Sequence, residues 1–343
     1  MKKSFLAILA VVLLIAISAG SVYAYDGTDY WNEGNRSQTR SGWMDWLPNN
    51  RRVSDLSLPG THDSMAFGEN LTGRDITRTQ TASLREQLMS GIRVIDIRVN
   101  YDNDHSLTCY HGSANLGYNF EDVLSTVKQF LQENPTESVF MRLKQENSSV
   151  SDSKMEQAFK YYYNRYYQIF YRGYSQNPTV GEVRGKLVLL SDVWSLNQYG
   201  INYRNINKQD SYHLGTNWDL YSKWEKIKNQ INRSNAKADS TIYMNYLSGS
   251  GGSMPYFVAS GKTAPQTNAP QLSTGLTHPG FAHYYPDFPR GSWFLCFATI
   301  YFQGTNTLTS DYLVNNNIRY CGMVMADFPG RRLINNIIQC NLR

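Results

Sequence analysis

The chain has 343 residues, 41% of them hydrophobic and 18% charged, with a formal net charge of +5. That mix excludes intrinsic disorder, a collagen-like repeat and a coiled coil. The length suits one large domain, since a barrel uses about 250 residues as a single unit.

Lys2 and Lys3 precede an apolar run from Phe5 to Ala19 and a small-residue stretch ending at Val22, Tyr23 and Ala24. This pattern predicts a secretory signal over residues 1–24, cleaved after Ala24, and a secreted protein spanning 25–343. A membrane anchor competes with that reading, but the run is short for a span. Losing Lys2 and Lys3 lowers the net charge from +5 to +3. So weak and dispersed a charge argues against a nucleic-acid partner. Residues 25–46 are polar and aromatic and read as an N-terminal extension, with a short helix over 42–47.

Apolar strands then alternate with amphipathic helices. Strands are predicted at 53–58, 92–99, 107–110, 138–143, 187–190, 241–247, 293–300 and 323–326. Helices are predicted at 83–90, 120–134, 153–170, 218–232, 308–316 and 331–340. Residues 248–270, with SGSGG and three prolines, read as a long surface loop. The alternation predicts a single α/β domain with a parallel sheet, open or closed into a barrel. The spacings of Cys109, Cys296, Cys321 and Cys340 fit no zinc site. Cys109 and Cys296 lie in strand-like text and Cys321 just before it, and free thiols are expected there rather than disulfides.

Strand periodicity points to the chemistry. Along 92–99, Asp96 and Arg98 share a face near the carboxyl end. Arg142, Lys144 and Glu146 share a face of the strand at 138, and Asp192 and Asp327 each follow an apolar run. A parallel barrel places its site at that end of its strands. His62 and His111 follow strand-like text, the first after Pro59 and Gly60, which predict a sharp exit from the strand. Two imidazoles facing one site supply a base and an acid near neutral pH. Arg98 supplies a fork of donors for a phosphate, and Asp63 or Asp327 can orient an imidazole. That set suits in-line transfer at phosphorus.

These residues resemble the bacterial phosphatidylinositol-specific phospholipases C of the X-domain superfamily. The resemblance is carried in order by LPGTHDS (58–64), QLMSGIRVIDIR (87–98), YHG (110–112), FMRLKQE (140–146), GKLVLL (185–190), QDSY (209–212), LSGSGG (247–252) and GMVMAD (322–327). It runs from about Trp43 to Asn336. It implies an irregular closed, TIM-like (β/α) barrel that cleaves phosphatidylinositol to diacylglycerol and inositol 1,2-cyclic phosphate, with glycosylphosphatidylinositol anchors as further candidate substrates. It implies His62 as general base with Asp327 as its partner, His111 as general acid supported by Asp63, and Arg98 as phosphate clamp above Asp96. Lys144, Asp210 and Tyr212 match inositol-contacting positions.

The resemblance further implies a monomer without cofactor or metal. Eukaryotic relatives place an acidic residue and calcium where this chain has Arg98, and a guanidinium repels a cation. Two departures stand out. Where the family commonly has Lys-Arg, this chain has Ser191 and Asp192, so Asp192 is the expected hydroxyl acceptor. Residues 67–80 carry no tryptophan for the rim, which leaves Met254, Tyr256 and Phe257 as the expected membrane contacts. Competing readings are calcium binding through Asp96 and Glu146, a metal-dependent glycerophosphodiester phosphodiesterase, and a non-catalytic inositol-lipid or glycan binder.

Overall fold

The structure is a computed structural model that describes residues 29–30, 40–103, 105–262 and 278–343. The expected signal at 1–24 lies outside the described residues. In chain order the strands are β1 (Leu58–Thr61), β2 (Val94–Tyr101), β3 (Leu107–His111), β4 (Ala114–Asn119) and β5 (Ser138–Gln145). Then come β6 (Lys186–Ser191), β7 (Gly200–Asn202), β8 (Asn207–Gln209), β9 (His213–Leu214) and β10 (Tyr243–Tyr246). The last are β11 (Ser250–Gly251), β12 (His278–Phe281), β13 (Arg290–Phe294), β14 (Phe297–Ile300) and β15 (Met323–Ala326).

Eight parallel strands form one curled sheet in the order β7-β6-β5-β2-β1-β15-β10-β8. The two outermost strands are neighbours in sequence, separated only by residues 203–206. The covalent chain, rather than a hydrogen-bonded ladder, therefore brings the two ends of the sheet together. This is the expected α/β, irregular TIM-like barrel.

Each central strand is buried on both faces, so its apolar residues are nearly continuous. Ile95, Ile97 and Val99 of β2, and Val139, Met141 and Leu143 of β5, are fully buried. The helix Phe120–Glu133 covers this side. Its first turn is closed by a reciprocal pair, in which Asn119 accepts from the Asp122 N–H and Asp122 accepts from the Asn119 N–H. Its buried stripe is Phe120, Val123, Leu124, Val127, Phe130 and Leu131.

Three predicted strands need correction. Residues 53–55 form a 3-10 turn, and the strand begins at Leu58 and runs through Pro59 and Gly60. The Pro59 carbonyl still accepts the Arg93 N–H. Gly60 is required because a Cβ there would lie 2.5 Å from Met325 Sδ and 2.9 Å from Val94 Cβ. The sharp exit comes after His62 instead. The segment at 107 belongs to an antiparallel hairpin hung on β2, not to the parallel path. Residues 293–300 are not one strand but the end of β13, a turn where Leu295 adopts a positive φ of 52°, and β14, within a separate three-stranded antiparallel sheet. The surface loop from 248 is also partly structured, with a helix at Pro255–Ser260.

Below the sheet, Arg93 and Glu137 form an ion pair with both side chains fully buried. Arg93 also donates to the carbonyls of Leu88, Ile92 and Ser41, and Glu137 accepts the Met44 N–H. Together they tie the N-terminal extension to the barrel. Glu137→Gln keeps the shape but strands the guanidinium, and should cost about 3–5 kcal/mol. Urea unfolding should show the lower midpoint with an unchanged slope.

Candidate active site

A pocket of about 250 Å³ opens at the carboxyl ends of the strands. It is lined by His62, Arg98, His111, Arg142, Lys144, Glu146, Asp210, Tyr212, Ser248 and Asp327, among others. Backbone geometry explains how they meet. His62 follows β1 and Asp327 follows β15, two strands paired in parallel from Leu58–Met323 to Thr61–Ala326. The residues after them, Asp63 and Phe328, take left-handed φ angles of 44° and 46°. Side chains other than glycine pay about 1–3 kcal/mol for such a conformation, so two at one rim mark a constrained site. Period-two alternation on β2 sends Asp96 and Arg98 to the pocket face together.

His62 Nδ1 lies 2.8 Å from Asp327 Oδ1, and Arg98 Nη2 lies 2.7 Å from His62 Nε2. A guanidinium only donates, so Nε2 is the acceptor and the ring proton sits on Nδ1, facing Asp327. Burial, then Arg98, push the His62 pKa well below the ordinary 6.5. Burial likewise raises that of Asp327. The imidazole is thus neutral with its lone pair toward the pocket. A proton taken at Nε2 would be stabilised by the carboxyl at Nδ1.

The second imidazole stands 6.0 Å from the first, ring centre to ring centre, at 90°. His111 Nδ1 donates to the Thr77 carbonyl at 2.7 Å, and its Nε2 lies 3.6 Å from Asp63 Oδ2. That oxygen is buried and accepts no hydrogen bond among the described residues. Burial raises the Asp63 pKa to about 6.

Arg98 links the layer. It reaches Asp96 at 3.0 Å, Asp63 at 3.5 Å and Glu146 at 3.6 Å. Against the cost of burial, Arg98 and Arg142 hold Asp96 well below the usual carboxylate range. All six residues expected to act on phosphorus therefore converge.

Of the expected inositol contacts, Lys144, Asp210 and Tyr212 line the pocket, and Tyr212 is more than half exposed at its mouth. Asp192 is a correction. It does not line the pocket but accepts from Arg142 at 2.7 Å. Arg142 belongs to β5, the strand beside the one that Asp192 follows. Arg142 also donates to the Tyr246 hydroxyl at 3.1 Å and stacks over Tyr203. Arg142 and Glu146 were visible in the alternation with Lys144, yet nothing local distinguished a pocket wall from a solvated strand end. Lys223 was not legible at all. It is a helix residue, buried, lowered by that burial to about 7, and donates to the carbonyls of Ser211 and Tyr246.

The expected membrane contacts also need correction. Tyr256 and Phe257 are only 3% and 2% exposed. Tyr256 packs on Tyr30 and Phe328, and Phe257 on Phe302, because the helix that carries them is sunk between neighbours. Met254 is half-buried against the same cluster.

A curled parallel barrel with two imidazoles, a guanidinium and buried carboxylates at its carboxyl end defines a class of phosphodiester-cleaving enzymes. Comparison with known proteins agrees. The family model described as phosphatidylinositol-specific phospholipase C, X domain, matches residues 56–192. The 1-phosphatidylinositol phosphodiesterase of Listeria monocytogenes is 30% identical over an alignment covering 99% of each chain. A Staphylococcus aureus protein of the same name is 29% identical, covering 74% of this chain and 83% of its own. The solved phosphatidylinositol-specific phospholipase C of Listeria monocytogenes superposes with a TM-score of 0.65 at 27% identity, covering 88% of this chain and 99% of its own. The chain belongs to the bacterial phosphatidylinositol-specific phospholipase C family and is, by class, an enzyme.

The electrostatics can be checked directly. Arg98→Met removes a cation beside the imidazole and leaves its carboxylates, so the His62 pKa should rise toward or above 6.5. Titration of the ring proton by NMR reads the shift, and an unchanged or lower value would contradict the arrangement.

Proposed function

We propose that the protein cleaves phosphatidylinositol to diacylglycerol and inositol 1,2-cyclic phosphate, by base–acid catalysis between His62 and His111. The observation that carries this reading is the neutral His62 with its acceptor nitrogen on Arg98, facing a second imidazole 6.0 Å away. His62 Nε2 takes the proton of the inositol 2-hydroxyl. The freed oxygen attacks phosphorus, and the bond from phosphorus to the diacylglycerol oxygen breaks. His111 gives its Nε2 proton to that leaving oxygen, from a position 3.6 Å from Asp63 Oδ2. Arg98 turns its donors to the phosphoryl oxygens as charge develops there. The nucleophile belongs to the substrate, so ring closure gains from proximity.

Lys144, Asp210 and Arg142 surround the space left for a polyol, with Tyr212 as a stacking surface. The pocket volume suits a head group and leaves acyl chains outside. The same geometry admits a glycosylphosphatidylinositol, whose glycan would extend past the exposed Tyr212. The reaction is proposed to need no metal, because Arg98 already fills the space between Asp63, Asp96 and Glu146 with positive charge. The lysine-flanked apolar N-terminus supports secretion, and the lipid substrate supports peripheral membrane contact by a monomer.

Phosphorus NMR of phosphatidylinositol turnover in excess chelator tests the reading. A transient cyclic phosphodiester is expected; abolished turnover would refute the metal-independent step. His62→Ala should lower kcat by about 10²–10⁴-fold, while a binder would keep head-group affinity and have no activity to lose. The dependence of kcat/KM on pH should be bell-shaped. The base fails only as pH falls through its depressed pKa, so the acid limb lies below the ordinary 6.5 of an imidazole. A rate flat from about pH 5 to 9 would exclude the paired imidazoles.

A further inference from the structure

The sheet β12–β14–β13 carries its apolar residues on the wrong side for a protein in water. An antiparallel sheet normally buries one face and turns polar residues outward. Along β14 and beyond, Ala298, Ile300 and Phe302 point inward and are buried, while Phe297 and Tyr301 alternate with them and are exposed. Phe281 and Phe294 stand opposite Phe297 on the two flanking strands. At the tip, Trp293, Phe294 and Leu295 are 60%, 72% and 85% exposed. Between Asp287 and Asp311 the sequence has no carboxylate and a single cation, Arg290.

The base of this sheet is firmly held. Arg290 donates to the carbonyls of Ala282, Tyr284, Tyr285 and Phe288. Asp287 accepts from the Trp224 indole at 2.8 Å and pairs with Lys228. Phe288 packs on Tyr221 and Phe302. These anchors fix the sheet to the first half of the helix Leu220–Asn235. That helix starts just after Tyr212 and is followed by β10, which leads to Ser248; both residues line the pocket. Phe302 also touches Phe257, two residues from pocket-lining Pro255. The exposed aromatics are therefore mounted on the pocket end of the barrel.

We propose that this sheet is a bilayer anchor, with the turn from Trp293 to Phe297 inserted among lipid head groups beside the pocket. This rests on the reading of the site as acting on a phospholipid. An indole and phenyl rings on a rigid, uncharged turn suit the interface between head groups and acyl chains. The absence of carboxylates keeps the turn compatible with an anionic lipid surface. The corrected burial of Tyr256 and Phe257 leaves the membrane role to this outer sheet, which their helix supports from beneath.

Sedimentation with sucrose-loaded vesicles of phosphatidylcholine and phosphatidylglycerol provides the test. The double variant F294S/L295S should lower partition roughly tenfold or more. Its turnover of a water-soluble inositol phosphodiester should match that of the unsubstituted protein. Leu295→Ser alone, at the most exposed position of the turn, guards against misfolding of the pair and should still lower partition. Cys296 is the one exposed cysteine of the four. An environment-sensitive dye on it should shift to the blue with vesicles and not without them. Unchanged partition in both variants, or a dye that does not respond, overturns the proposal. A protein that sediments as a dimer only while Phe294 and Leu295 are intact, with vesicle binding unaffected, also overturns it and marks the face as a self-interface. Failure of the unsubstituted protein to turn over the soluble substrate would instead count against the catalytic reading, and leaves the partition measurement standing.

Discussion

Arg98 lies 2.7 Å from an imidazole nitrogen and within 3.6 Å of three carboxylates, and the remaining charges of the pocket are arranged around it. Asp63, Asp96 and Glu146 could not all ionise in so small a buried volume without a cation among them. With it in place, Asp96 stays charged and Glu146 is held low despite its burial. Asp63, raised to about 6 by its burial, is left partly protonated near neutral pH. One side chain thereby sets different protonation states for neighbouring carboxylates, and it also fixes which nitrogen of His62 carries the proton.

The barrel holds this arrangement with little freedom. His62 and Asp327 come from adjacent paired strands, and Arg98 and Asp96 from alternate positions of a third. A shift of one residue in any of these registers would turn the side chain to the opposite face. Gly60 bears on the same point. It allows β1 to pass close to Met325 and Val94, which sets the spacing of the strands that carry His62, Asp327 and Arg98.

Much of this was legible in the sequence, for physical reasons. Long amphipathic helices such as 120–133 and 331–340 carry a periodic signal that survives folding. The polar ends of strands at Arg98, His111, Lys144 and Asp327 were visible because an apolar run that stops at a charge is unusual inside a barrel. Where reading failed, a tertiary contact had overridden a local pattern. Tyr256 and Phe257 look like a rim because they follow a glycine-rich loop, but Tyr30 and Phe328 cover the first from distant parts of the chain. Asp192 looks like a ligand until Arg142 is seen to claim it. The run 293–300 has strand composition throughout, and only the left-handed Leu295 divides it.

The seam between β7 and β8 bears on how this fold changes over time. No backbone ladder joins these strands among the described residues; the covalent chain spans the seam, and side chains pack around the connecting turn. The Tyr203 and Tyr246 hydroxyls meet at 2.9 Å, and Arg142 and Lys208 both stack on the Tyr203 ring. Elsewhere around the circle, enlarging the interior means breaking rows of amide bonds. Here a few substitutions could spread the staves while every neighbouring ladder stays intact. Since Arg142 also walls the pocket, this gap is where the barrel can most cheaply widen its site.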